Sequence, residues 1–188
     1  MDYASLGLKA GLEVHQQLNT GKLFCRCQSI LRDQNPPFQV KRFLRPSYSE
    51  YGEVDSAAVE AFEKKMAFFY RGFFDSTCEV EFDESPPQKI DQSALQTVVQ
   101  IALMCNASIF DKIIVMRKTI IDGSNASGFQ RTALLATNGK INLQSKSVGV
   151  QSIVIEEDSA RPIERSDEKV VYNLDRLGIP LIELATAP

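Results

Sequence analysis

The sequence predicts a mixed α and β fold rich in strands. Three observations carry this: many short runs alternate apolar and polar residues with period two, a single segment carries a broad apolar stripe at helical spacing, and no GxGxxG fingerprint is present. A chain of 188 residues, 44% hydrophobic and 24% charged, is long enough to bury a real core as one domain.

In chain order, the first strand is expected over Gly11-Leu12-Glu13-Val14-His15-Gln16-Gln17-Leu18, with Leu12, Val14 and Gln16 on one face and Glu13, His15 and Gln17 on the other. Asn19-Thr20-Gly21-Lys22 is a turn signal, followed by Leu23-Phe24-Cys25-Arg26-Cys27. Residues 28 to 54, with Asn35-Pro36-Pro37 and Arg45-Pro46-Ser47-Tyr48, show neither period and read as a long loop or insertion. Asp55 or Ser56 can cap a short helix over Ala57 to Lys65, because either side chain accepts from the free amides of a first turn. Ala67 to Tyr70 and Cys78 to Phe82 read as a strand pair around Arg71 to Thr77. Asp91 opens the clearest helix, whose stripe is Leu95, Val98, Val99, Ala102 and Leu103, with Cys105 in the core at its end. Further strands are expected at Ile113 to Met116, Thr119 to Ile121, Lys140 to Leu143, Val148 to Glu156, Val170 to Leu174 and Pro180 to Ala185.

Composition narrows the function. No apolar run is long enough to span a bilayer and Met1-Asp2-Tyr3-Ala4-Ser5 has no signal-peptide regions, so a cytoplasmic protein with no membrane partner is expected. Four cysteines give no disulfide framework and leave reduced thiols or a metal site. A net charge of -3 removes any global electrostatic case for nucleic acid, so RNA contacts belong to a local patch or lie outside the chain. The run Leu181-Ile182-Glu183-Leu184-Ala185-Thr186-Ala187-Pro188 has no polar tail to close it and predicts an N-terminal fragment of a larger protein.

Five places can carry chemistry. Glu13 and His15 put a carboxylate and an imidazole on one strand face, where they can bind a divalent cation or exchange protons; a solvated surface histidine is the plain alternative. Glu156-Glu157-Asp158 ends an apolar strand in three acids, which need solvent, a cation or different directions. Glu183 interrupts an apolar strand, where a carboxylate needs a partner. Arg117-Lys118 leads into a loop whose Ser127, Gly128 and Gln130 can approach phosphate, or simply form a surface loop. Cys25, Cys27 and Cys78 with Glu81 make an incomplete soft-ligand set, from which zinc is expected to be absent or loosely held.

Taken in order, Gly11 to Leu18, Lys22 to Cys27, Arg117-Lys118, Gly128-Phe129-Gln130, Ile155-Glu156-Glu157-Asp158-Ser159-Ala160 and Asp175-Arg176-Leu177-Gly178-Ile179-Pro180-Leu181-Ile182-Glu183 resemble the N-terminal catalytic region of the GatB/GatE family. The Gln16-Gln17 pair, the stretch from Ser29 to Thr77 and the run from Cys78 to Pro87 look like the archaeal GatE branch; GatB-type members carry Cys-x-x-Cys where this chain has Cys78-Glu79-Val80-Glu81. The resemblance implies an α+β, antiparallel-sheet cradle domain over residues 1–188, related to glutamine synthetase and guanido kinases and carrying an insertion at about 29–77. It implies a tRNA-dependent carbon–nitrogen ligase with glutamine as amido donor: ATP and magnesium serve to phosphorylate the glutamyl side chain of Glu-tRNA(Gln), and ammonia displaces the phosphate. A GatD-like, asparaginase-type glutaminase subunit is the implied source of ammonia, and the tRNA body is gripped mainly by C-terminal domains outside this chain. By the same resemblance Glu13, His15, Glu157 and Glu183 hold magnesium, with His15, Glu157 and Glu183 catalytic, while Arg117, Lys118, Ser127, Gly128 and Gln130 contact ATP and phosphate. Two rival readings are a zinc-knuckle scaffold that binds RNA or protein through Lys41-Arg42-Phe43-Leu44-Arg45, and a carboxylate–amine ligase acting on free glutamate.

Overall fold

The computed structural model describes residues 3, 5–46, 48–49 and 51–188. Met1, Asp2 and Ala4 of the N-terminal stretch and Ser47 of the Arg45-Pro46-Ser47-Tyr48 segment lie outside the described residues. In chain order the elements are β1 (Glu13–Gln17), β2 (Phe38–Phe43), α1 (Ser56–Glu63), β3 (Ala67–Gly72), α2 (Gln92–Met104), β4 (Ser108–Ile109), β5 (Val115–Thr119), β6 (Phe129–Asn142), β7 (Ser147–Glu157), β8 (Arg161–Arg165), β9 (Lys169–Asn173) and β10 (Pro180–Thr186). The chain is therefore α+β, and its strands form two sheets.

The larger sheet has the order β1-β10-β7-β6-β4, with β5 also on β6, and every pairing in it is antiparallel. α2 packs against β6, β7 and β4, and Val98 and Ala102 bury completely against Ile153, Ile155, Ala133 and Leu135. Each such branched aliphatic side chain contributes about 1.5–3 kcal/mol through removal from water. Asp91 caps the helix by accepting from the Ala94 amide at 2.8 Å, as the sequence requires. Asp55 caps α1 in the same way, with 2.8 Å to the Ala57 amide.

The smaller sheet, β2-β3-β9-β8, differs from expectation in several places. Residues 28 to 54 are not all loop, because β2 pairs antiparallel with β3. The period of β2 is hidden by Arg42, which turns inward to stack at 4.7 Å on Phe82 and donate to the Phe82 carbonyl. β3 does not pair with Cys78 to Phe82. Those residues form tight turns, with Glu81 Oε2 accepting from the Cys78 amide at 2.8 Å, and β3 pairs on its other edge with β9 in parallel. This single parallel junction breaks the antiparallel pattern.

Other corrections follow from irregular pairing. β6 runs for 14 residues, but its register shifts between Leu134 and Ala136, so the alternation that marks a strand is lost over its middle. β8 has a similar shift between Pro162 and Glu164. The expected runs at 113–116 and 119–121 are one strand, β5. In α2, Leu103 is 62% exposed; Leu12, just before β1, and Val14 on it are 71% and 52% exposed, β1 being an edge strand.

The two sheets are joined by polar contacts. The Tyr70 and Tyr172 hydroxyls of the smaller sheet donate to the Gly123 and Asp122 carbonyls at 2.8 and 2.9 Å. Gly123 has φ +79°, and a Cβ there would lie 2.2 Å from the Phe68 ring, so only glycine fits this junction. Asp175 is fully buried after β9; its Oδ2 accepts from Arg161 at 2.6 Å and from the Arg32 amide at 3.1 Å, and its Oδ1 from the Arg176 amide at 3.0 Å. Asp175→Ala leaves a guanidinium and two amides without their acceptor, and should cost about 3–5 kcal/mol in a denaturant titration. A loss under about 1 kcal/mol would mean that solvent replaces the carboxylate.

Candidate functional site

Strand alternation and register together decide which side chains can meet. Directly paired residues in an antiparallel sheet point to the same face. His15 pairs with Glu183, Glu183 with Val154, Glu156 with Thr132, and Gln130 with Lys118. One face of the larger sheet therefore carries Glu13, His15, Glu183, Glu156, Thr132, Gln130 and Lys118, and this face is opposite α2. The other face carries Ile182, Ile155, Glu157, Arg131 and Arg117, continuous with the core.

On the open face, His15 Nε2 lies 3.0 Å from Glu13 Oε1 and 3.2 Å from Glu183 Oε2. The His15 side chain is 45% exposed and that of Glu183 is 19% exposed, so the group is open to solvent from the β1 side. A single Nε2 proton shared between two carboxylates is a weak arrangement in water, whereas a cation in the same place accepts all three donors at once. Glu13, His15 and Glu183 each offer one ligand atom to a point where the atoms lie within 4.8 Å of one another. The resemblance to the GatB/GatE family puts Glu157 with them, but the structure does not bring it there.

Glu157 is on the opposite face, where Arg131 Nη1 lies 3.0 Å from its Oε1 and the Arg131 amide donates to its Oε2 at 3.1 Å. Burial raises its pKa above the ordinary carboxylate range, and the Arg131 guanidinium only partly offsets this. Its neighbour Glu156, also buried, faces the open side; its Oε2 lies 3.2 Å from Lys118 Nζ and accepts from Thr132 Oγ1 at 3.2 Å. The solvated-turn alternative for these acids is thus overturned, since both are buried and paired. Thr132 and Arg131 were missed by the sequence reading, although the parity of Glu156 and Glu157 on one strand was the available signal.

Arg117 and Lys118 separate in the same way. Lys118 faces the open side with Gln130, while Arg117 stacks at 5.4 Å on Phe129, whose ring Arg131 also approaches at 5.2 Å. Gln130 donates to the Glu157 carbonyl at 2.6 Å. In the loop before β6, the Gly128 amide donates to the Asn125 carbonyl at 2.9 Å and the Ser127 hydroxyl to the Phe129 carbonyl at 2.8 Å, so both groups are engaged within the turn. The five residues do not converge on one point.

The cysteine cluster does converge. Cys25, Cys27, Cys78 and Glu81 place their ligand atoms within 4.8 Å of one another, beneath a lysine that the sequence reading missed. Lys22 is fully buried, with Nζ 3.1 Å from Glu81 Oε1, 3.2 Å from the Leu174 carbonyl and in contact with the Ser76 carbonyl. Burial works to raise the Glu81 pKa, but Lys22 and the Cys78 amide outweigh it and hold the carboxyl below its ordinary range. Burial and then Glu81 push the Cys78 thiol up to about 11, and Cys25 is raised by its hydrogen bond with Cys27 and by burial. Metal uptake here requires these raised thiols to lose protons.

Removing Arg131 isolates a buried carboxylate. Arg131→Ala should lower stability by about 3–5 kcal/mol at neutral pH, and by less as the pH falls and Glu157 takes a proton, because a neutral carboxyl is cheaper to bury. Equal losses at pH 4 and pH 7, read from denaturant midpoints, would show that the charge plays no part.

Residues 8–188 match the family described as the GatB/GatE catalytic domain. The whole chain is 54% identical, over 189 residues, to the E subunit of the glutamyl-tRNA(Gln) amidotransferase of Pyrobaculum aerophilum, and covers 31% of that protein. It is 52% identical over its whole length to the protein of the same name from Methanocaldococcus jannaschii and 49% to that from Sulfurisphaera tokodaii, covering 30% of each. The chain thus spans less than a third of the length of these relatives. Among the described residues no helix is long and apolar enough to cross a membrane.

Proposed function

The chain belongs to the family of GatB/GatE catalytic domains, and on that footing we propose that it carries the kinase and transamidase chemistry of a glutamyl-tRNA(Gln) amidotransferase. The proposed substrate is Glu-tRNA(Gln). Its side-chain carboxylate takes the γ-phosphoryl group of ATP, and ammonia then displaces phosphate to give Gln-tRNA(Gln), with the ammonia supplied by a GatD-like glutaminase subunit. A carboxylate resists attack by ammonia until one oxygen becomes a good leaving group, which is the reason for coupling to ATP.

The observation that carries this reading is the His15 imidazole held between the Glu13 and Glu183 carboxylates, 3.0 and 3.2 Å away, on the helix-free face of the sheet. Two hard oxygen donors and one imidazole suit a divalent cation that keeps several waters. We assign magnesium to Glu13, His15 and Glu183, where it would offset charge on the transferring phosphoryl group. Histidine is an unusual magnesium ligand, so a transition metal is expected to compete there in vitro. Glu156, rather than Glu157, is assigned to the surround of this metal. It orients Lys118, which stands ready to neutralise phosphate oxygens from the same face. Arg117 and Ser127 lie away from this face, and we give them no contact with the transferring phosphate.

The helix-free face also supports reading the larger sheet as the cradle of the glutamine synthetase and guanido kinase fold. Residues 29–77 would be an insertion that supplies β2, α1 and β3, and 1–188 would be the catalytic domain of a longer protein.

His15→Ala or Glu183→Ala in the full-length complex should reduce ATP consumption with Glu-tRNA(Gln) by at least a hundredfold, leaving tRNA affinity and the glutaminase activity of the partner protein unchanged. Assays with Glu-tRNA(Gln), tRNA(Gln) and free glutamate in turn separate a tRNA-dependent amidotransferase from a ligase for the free amino acid. Near wild-type turnover in either variant makes the residue structural, and stimulation by free glutamate alone replaces the reading.

Zinc, if taken up, would be held by Cys25, Cys27, Cys78 and Glu81, and the geometry fits four donors. Glu81 is already engaged by Lys22 and the Cys78 amide, so weak retention is expected. Elemental analysis after dialysis of the full-length protein against a chelator should find well under one zinc per chain; stoichiometric zinc would show the site to be a tight one.

A further inference from the structure

A cleft of about 600 Å³ lies between the edge strand β2, the end of α1 and the Ala126 to Phe129 turn, and the chemistry proposed above makes no use of it. Lys41, Arg45 and Arg117 line it, and none of the three has an ion-pair partner among the described residues. The acids of the lining are already matched: Glu84 contacts Arg42, and Asp83 lies 3.7 Å from Arg131. Aromatic surface accompanies the cations, since Phe43 is 50% and Phe62 47% exposed, and Lys41 Nζ lies over the Phe43 ring at 5.2 Å.

Cations free of counter-ions next to exposed aromatic rings meet the two parts of an unpaired nucleotide, its phosphate and its base. A duplex hides its base faces, so a paired segment would leave the rings unused. ATP is disfavoured as the occupant because Arg117 and His15 are on opposite faces of the larger sheet, so a phosphate held by Arg117 is across the sheet from the carboxylate site. An acidic protein segment would satisfy the cations but not the exposed rings. We propose that this cleft binds a short unpaired segment of the RNA substrate, stacking a base on Phe43 and holding the adjoining phosphates with Lys41 and Arg45. The inference rests on the tRNA-dependent reading above.

The test uses the full-length complex and three half-exposed or exposed positions: Phe43→Ala, Lys41→Ala and Arg45→Ala. Affinity for tRNA(Gln) and for an unstructured RNA oligonucleotide is measured by fluorescence anisotropy over a salt series, alongside the KM for ATP and co-purification of the glutaminase subunit. Phe43→Ala should weaken both RNAs at least fivefold, and each cation variant should lower the log–log salt slope by about 0.7, the value for one single-strand phosphate contact. ATP KM and co-purification should not change. Unaltered RNA affinity and slope in the triple variant, with a wild-type melting curve, overturns the proposal, as does a rise in ATP KM that matches the loss of RNA. Loss of the glutaminase subunit instead of RNA identifies a protein-docking cleft and overturns it too. The amidotransferase reading fails separately, through absent ATP turnover with Glu-tRNA(Gln) in the wild type, whatever the variants do to RNA binding.

Discussion

The register that holds β10 between β1 and β7 is the constraint on which the candidate site depends. It sets His15 opposite Glu183 and Glu183 opposite Val154, and strand alternation then assigns every later residue to one face or the other. A slip of one residue between β10 and β7 would carry Glu183 into the core beside Ile155 and bring Ile182 out to solvent, and a slip between β1 and β10 would turn His15 away from Glu183. Burying an unpartnered carboxylate while exposing a large apolar side chain is doubly unfavourable, so the core beneath α2 and the polar face above it specify the same register.

Charge in this molecule is managed by face as well as by pair. On the open side Glu156 meets Lys118, whose side chain is half exposed and able to move; on the core side Glu157 is gripped by Arg131, both nearly inaccessible. Two adjacent glutamates thus have different physical roles: one can respond to a ligand, and the other fixes the junction of β6 and β7. Lys22 does for the cysteine cluster what Arg131 does for Glu157, supplying a buried cation that keeps Glu81 ionised among thiols. The second sheet is attached through Tyr70 and Tyr172, whose hydroxyls donate to carbonyls of the 122–123 turn, while Asp175 holds a guanidinium and two amides together after β9.

Local chemistry was readable wherever a signal is contained in a few consecutive residues. Asp55 and Asp91 cap the two helices as their positions require, since a cap bonds amides within its own first turn. The strand through Glu13 and His15, the glutamate of β10 and the buried Cys105 all stood in the pattern. Segments whose pattern is interrupted were misread: β2 because Arg42 packs inward on Phe82, β6 because a bulge shifts its period, and Cys78 to Phe82 because a side chain folds back on its own turn. Leu103 was placed in a core from period alone, and period set Leu12 and Val14 together on the face away from Glu13 and His15, yet nothing in the described chain covers them.

The sequence by itself determined a mixed α and β pattern, both helices, the membership of a family and with it the α+β class, and the residue types that can hold a cation or a phosphate. It could not decide which of them share a face. Arg117 and Lys118 are neighbours in the chain, as are Glu156 and Glu157, and in each pair one member points to the open side and the other to the core. Glu13 and Glu183, by contrast, stand 170 positions apart and flank the same imidazole nitrogen at 3.0 and 3.2 Å. Adjacency along a strand sends side chains to opposite faces, and only pairing between distant strands brings ligands together. That pairing is a property of the folded sheet.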